Sequence, residues 1–109
     1  MTKYTVKISA RALDDARNIQ RYLKDNASED TARMVVATLF DEADKLCRLP
    51  TGQPIAHGVG DGTKVFRFQI KWKYKIIFYV DEAEETVIIA KFHHSSQDPK
   101  RLIEDSQDW

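Results

Sequence analysis

Apolar and polar residues alternate from Val65 to Lys71, with Phe66, Phe68 and Ile70 on one parity and Val65, Arg67 and Gln69 on the other. Period-two alternation predicts a strand with one face on a core. Two further runs, Tyr74–Asp81 and Thr86–His93, have the same character, and the acidic stretch Asp81–Glu85 forms the turn between them. Near the N-terminus Tyr4, Val6 and Ile8 alternate with Thr5, Lys7 and Ser9, predicting another strand. The period then changes. Ala12, Ala16, Ile19 and Leu23 recur at helical spacing after a capping Ser9, with Asp14 and Asp15 placed near the positive end of that helix. A second helix begins after Ser28 and carries Ala32, Val35, Val36, Leu39, Ala43 and Leu46 inward, ending near Arg48 and Pro50. So short a linker between the helices requires an antiparallel hairpin. Pro50–Thr63 holds every glycine of the chain and reads as a long loop, and Pro99–Ser106 as a short terminal helix with Leu102 and Ile103 inward.

Carried through all three later strands, the parity sets Phe66, Phe68, Ile70, Tyr74, Ile76, Phe78, Ile88, Ala90 and Phe92 against Ile19, Leu23, Val36, Leu39 and Ala43. The opposite face then collects Arg67, Gln69, Lys71, Lys73, Lys75, Lys91 and His93. Formal net charge is +0 over 109 residues, so the whole molecule is no polycation. The charge is local: Thr63–Val80 contains basic residues and no acidic one. Such a face suits a polyanion or a protein partner, or simply solvates an exposed sheet and discourages edge aggregation. The length predicts a single domain over residues 1–109. Cys47 is the only cysteine, which excludes an internal disulfide and fits a reducing, cytoplasmic setting. MTKYTVKIS does not read as a signal peptide, and no apolar run approaches the roughly 20 residues of a membrane span. GVGDG lacks the Lys-Ser/Thr of a phosphate loop and precedes a strand. His93 and His94 are adjacent and point to opposite faces, so neither a metal site nor a cofactor is expected.

The ordered set YTVKISARALDDARNIQRYL, LCRLPTGQP, KYKIIFYVD and VIIAKFHHSSQD, spanning residues 4–98, resembles the RelE/ParE superfamily of type II toxin–antitoxin toxins, also labelled plasmid-stabilisation proteins. The opening is similar to the family's aromatic-x-Val start, followed by a small residue, Ala and an acidic pair. The ending is similar to its apolar strand leading to His and then Gln/Arg-Asp, with His94, Gln97 and Asp98 in those places. The resemblance implies an α+β fold ordered β-α-α-β-β-β, a twisted antiparallel sheet with a two-helix hairpin on one face and an open concave face on the other. It also implies a cognate antitoxin, held in a hetero-oligomer.

The family's targets divide it. RelE-like members cut messenger RNA on the ribosome, and ParE-like members inhibit DNA gyrase. Cutting RNA requires a base for the 2′-hydroxyl, cations for the phosphate and an acid for the leaving oxygen. The residues offered for this are Arg67, Lys91, His93 and His94, while Arg67, Lys71, Lys75, Lys91 and His93 are the candidate contacts to antitoxin or target. RelE itself relies on lysines, arginines and a C-terminal tyrosine, and no tyrosine follows His94. The long helices and the His-x-x-x-Asp ending are closer to ParE. The reading is a ParE-like inhibitor of DNA gyrase, more a binding protein than an enzyme; the alternatives are a ribosome-dependent endoribonuclease and a non-toxic relative that keeps only its antitoxin-binding surface. His94 is read as structural, His93 as either functional or merely exposed, and Trp72 and Trp109 as packing or partner contacts.

Overall fold

In the computed structural model, which describes residues 3–109, the helices form where their caps and stripes place them. Strand β1 (Thr5–Ile8) leads into α1 (Ala10–Asn26), whose Ser9 cap accepts from the Ala12 N–H at 3.1 Å. Ser28 caps α2 (Glu29–Asp44) in the same way, accepting from the Thr31 N–H at 3.0 Å. Each cap satisfies a first-turn donor that has no partner within its helix. Short 3-10 turns at Lys45–Cys47 and Pro50–Gly52 end the hairpin. Strands β2 (Phe66–Lys71), β3 (Tyr74–Asp81) and β4 (Thr86–His94) follow, then α3 (Pro99–Asp105) and a 3-10 turn at Ser106–Asp108.

The strand order is β1-β4-β3-β2. β2, β3 and β4 form the antiparallel meander, and β1 joins it parallel to β4, pairing Thr5 with Thr86 and Ile8 with Ile89. One sheet face carries the helical hairpin. Ala12, Ala16, Val35, Leu39, Ala43 and Leu46 pack there on Tyr74, Ile76, Phe78, Val87, Ile89 and Phe92. Phe40 of α2 meets Phe92 edge-on, with ring centroids 5.8 Å apart.

The register differs from the sequence expectation in two places. Lys71 lies opposite Tyr74 across the two-residue turn Trp72–Lys73. Directly opposed residues share a sheet face, so Tyr74 takes Lys71, Gln69 and Arg67 to the helix side. Phe66 and Phe68 face the other way, and Ile70 is largely exposed. In β4 a bulge does the rest. Phe78 pairs with Ile89 and Ile77 with Lys91, leaving Ala90 as the extra residue. Val87 and Ile89 therefore join Phe92 in the helix-side core, while Ala90 belongs to the opposite one.

The second face is also not open. Phe66, Ile77 and Ala90 form a second buried core under Ala56 and Val59 of the loop and Leu102 and Trp109 of the C-terminal segment. Trp109 packs edge-on against Phe66 at 6.1 Å. The fully buried Ser106 hydroxyl accepts from the Gly60 N–H at 2.8 Å and donates to the Ile103 carbonyl at 2.7 Å. Gly60 has φ +86, and a Cβ there would stand 2.6 Å from the Phe66 ring, so the loop passes this point only as glycine. The loop also covers the outer edge of β2: Ala56 N–H donates to the Phe66 carbonyl and Phe68 N–H to the Pro54 carbonyl. Leu102 turns inward as expected, whereas Ile103 stays partly exposed.

Candidate functional site

β1 stops at Ile8, so the outer edge of β4 would lie bare beyond Ile89. The start of α1 takes its place. Ser9 N–H donates to the Ile89 carbonyl at 3.0 Å, and the Ser9 hydroxyl donates to the Ala90 carbonyl at 3.4 Å. Asp15 completes the edge: one carboxylate oxygen accepts the Phe92 N–H at 3.1 Å, and the other accepts from the Lys91 ammonium at 2.8 Å. Asp15 therefore tethers the sheet instead of serving the positive end of α1, whose first turn holds no acid. Burial pushes its carboxyl above the ordinary carboxylate value, against the opposing pull of Lys91, the Phe92 N–H and Arg11.

Above this tether α1 and the end of β4 enclose a groove of about 390 Å³. Ile19, Leu23, Tyr74 and Phe92 form its apolar walls; Asp15, Asn18, Tyr22, His94, Ser96 and Gln97 supply the polar lining. Burial raises the Tyr74 phenol, with Tyr22 adding to the shift. His94 meets Tyr74 edge-on at 5.0 Å. Its Nδ1 accepts the Ser96 N–H at 3.0 Å and lies 2.7 Å from the Ser96 hydroxyl. A backbone N–H can only donate, so Nδ1 serves as the acceptor that holds this turn. Gln97 accepts the His94 N–H at 3.1 Å through its side-chain oxygen. The ring lines the groove with Nδ1 engaged by Ser96.

The structure separates the basic residues singled out in the sequence. Arg67 lies on the helix side of β2 and donates to the Gln53 carbonyl at 2.7 Å. Lys71 is on the same side, 3.9 Å from Glu42, with its ammonium 4.9 Å from the Trp72 ring centroid. The neighbouring Gln69 amide also bonds Glu42, at 2.6 Å. Lys75 is on the other face, over Phe68 at 5.0 Å. Lys91 is neutralised by Asp15. His93 pairs with Lys75 in the sheet and is only 5% exposed. Arg67 sits opposite Phe78, three residues along β3 from Lys75, so Arg67 and His93 are about 10 Å apart along the strands and on opposite faces. Of the groups considered for RNA cutting, only Lys91 and His94 line the groove. Among the described residues, no three His, Cys, Asp or Glu side chains come together to hold a metal ion. No helix of these residues is long and apolar enough to cross a membrane.

The enclosed His93 makes a prediction. Burial first, then the charges of Lys91 and Lys75 and the nearby His94, hold its imidazole below the ordinary 6.5. The folded state favours the neutral ring, so the unfolded chain takes up the proton first as pH falls. This contribution to stability is complete above the unfolded value and is lost as pH drops through the lower folded one. Melting temperature measured from about pH 7 to about pH 5 should fall in the parent chain, and His93→Gln should flatten that slope. An unchanged slope would show that His93 titrates freely.

Asp15, Tyr74 and Ser96 were not singled out as site residues from the sequence. Asp15 left a usable signal, because it lies four residues before Ile19 on the apolar stripe of α1. A carboxylate at a core position requires a buried partner.

The four-stranded sheet under a helical hairpin can be set beside known proteins. A family model described as "ParE toxin of type II toxin-antitoxin system, parDE" matches residues 6–99, and the chain belongs to that family. Among solved structures, a chain from the chromosomal ParDE TA system of P. aeruginosa is similar, with TM-score 0.66 and 15% identity over 86% of this chain and 98% of that one. A chain of the toxin–antitoxin complex RelBE2 from Mycobacterium tuberculosis is similar with TM-score 0.63 and 18% identity, covering 89% of this chain and 97% of that one. A search of curated proteins gives no match.

Proposed function

We propose that this toxin acts by binding a protein target rather than by cutting RNA, that the target is DNA gyrase in the cytoplasm, and that a cognate antitoxin neutralises it in a hetero-oligomer. The observation that carries the reading is the dispersal of the candidate catalytic groups. Arg67 and His93 occupy opposite sheet faces, Lys91 is held by Asp15, and the Nδ1 of His94 is engaged by Ser96. Attack by a 2′-hydroxyl requires a base, a cation and an acid around one phosphate. Binding requires only a complementary surface. The neighbours ParDE and RelBE2 are toxin–antitoxin assemblies by name, which supports an antitoxin partner here. The groove between α1 and β4 suits an apolar anchor from such a partner. Away from the groove, Lys71 and Lys75 carry positive charge on opposite faces of the β2–β3 hairpin. Residues 1–109 act as one toxin domain in this reading.

Purified protein should inhibit gyrase supercoiling or trap cleaved DNA. Arg67→Ala and His93→Gln should each keep that effect within about threefold, because Arg67 is spent on the Gln53 carbonyl and His93 is buried, so neither is a central contact for a target. A nuclease would respond otherwise: loss of a proton-transfer group typically costs about 10²–10⁴-fold. Ribosome-dependent cuts in messenger RNA that vanish in His93→Gln, alongside normal supercoiling, would sink the reading.

A further inference from the structure

The turn joining β2 and β3 consists of Trp72 and Lys73, between the paired residues Lys71 and Tyr74. Trp72 has φ +53. In this left-handed region a Cβ crowds its own backbone, which is why tight hairpin turns favour glycine or asparagine there. A tryptophan in such a place calls for a compensating gain, and the fold supplies little. The side chain is 50% exposed and belongs to neither hydrophobic core. Its ring has the Lys71 ammonium 4.9 Å from the centroid. Ile70 is 59% exposed, and the loop that bonds the outer edge of β2 reaches only as far as Phe68. The turn itself is fixed, because Ser95 N–H donates to the Lys73 carbonyl at 2.8 Å. Lys71 and Lys73 flank Trp72 in the chain, Lys75 pairs with Ile70 across the hairpin, and no acid occurs between Thr63 and Val80, the nearest carboxylate to Lys71 being Glu42 at 3.9 Å.

We propose that this hairpin tip is the contact through which the toxin grips its target protein, at an acidic surface with an apolar recess that takes the indole. The inference rests on the reading of the chain as a protein-binding toxin and adds the place and chemistry of the grip. Strain stored at an exposed, rigidly held aromatic is a mark of a functional contact, and tryptophan is among the residues that dominate interface energies. A protein fits better than a nucleic acid. Exposed Ile70 offers nothing to a phosphate, the chain has a formal net charge of +0, and Lys71 already lies against the indole.

The test uses the full chain, expressed alone under tight induction and together with its antitoxin. Trp72→Gly removes the indole and relieves the strained backbone. It should raise the melting temperature by about 4 °C, abolish growth arrest, and weaken binding to purified gyrase by about 10–100-fold, with antitoxin affinity kept within about threefold. Lys73→Glu should weaken arrest without loss of fold. Full arrest by Trp72→Gly, a lowered melting temperature, or a parallel loss of antitoxin affinity overturns the proposal. So does direct binding of single-stranded RNA by the parent chain that Trp72→Gly loses. Trp72-dependent arrest in a strain whose gyrase the parent chain does not inhibit removes gyrase as the target and leaves the tip in place. Gyrase inhibited equally by parent and Trp72→Gly keeps the target and removes the tip.

Discussion

Replacing Phe66 with alanine is expected to lower the unfolding free energy by about 3–5 kcal/mol. Phe66 is 2% exposed and is the largest buried side chain of the core on the second sheet face. Its ring meets Tyr79 at 5.4 Å and Trp109 at 6.1 Å, both edge-on, and Gly60 is pressed against it. Truncation leaves a cavity under the C-terminal segment. None of the residues of α3 is itself buried, so that segment depends on the few anchors at Leu102, Ser106 and Trp109. Amides from Leu102 to Trp109 should lose their hydrogen-exchange protection in Phe66→Ala before the helical hairpin does. The neighbouring Val65, largely exposed, should tolerate alanine within about 0.5 kcal/mol. Denaturant titrations of the two variants measure the difference, and equal small effects would contradict a second core.

Removing Asp15 should cost a similar amount for a different reason. Asp15→Ala leaves the Lys91 ammonium and the Phe92 N–H without their acceptor. The two side chains of this pair are 12% and 20% exposed, so water replaces the carboxylate poorly. Breaking such a pair from one side costs about 3–5 kcal/mol. Asp15→Asn should cost less, because its amide oxygen still accepts the Phe92 N–H. Adding Lys91→Met to Asp15→Ala should restore much of the loss, since an apolar side chain then fills the space of the stranded charge. A double variant no more stable than Asp15→Ala would show that the edge bond to Phe92, and not the ion pair, carries the effect.

The helices and the order of elements were legible because they rest on local signals: Ser9 and Ser28 as caps, stripes at Ala12–Ala16–Ile19 and Val35–Leu39–Ala43, and alternation in each strand. The facing of the strands was not, because parity does not pass unchanged through a two-residue turn or a bulge. Tyr74, Ile76, Phe78 and Phe92 face the helices as the pattern predicted, while Phe66 and Phe68 do not. Lys71 opposite Tyr74 decides β2. The bulge at Ala90 decides β4, where the unbroken apolar run Val87–Ala90 offers no alternation to follow. The supposed basic face dissolves with that correction. Lys75 and Lys71 lie over aromatic rings, and Lys91 belongs to an ion pair whose partner is 76 residues away in sequence. Local spacing marks Asp15 as a carboxylate in need of a partner but does not say which distant residue supplies it. The groove likewise comes from α1 lying along β4, a placement set by the early end of β1.

The parallel pairing of Thr5 with Thr86 has a consequence for how the toxin is born. The first strand cannot be placed until nearly the whole chain has been synthesised, which makes this a topology of high contact order and slow closure. At about 5–20 residues per second, roughly 2–8 s separate the end of α2 from the start of β4. Through that interval the nascent hairpin shows the apolar stripe that the sheet will later cover. A partner made nearby at the same time would meet an unfinished fold, and capture would compete with completion instead of having to reverse it.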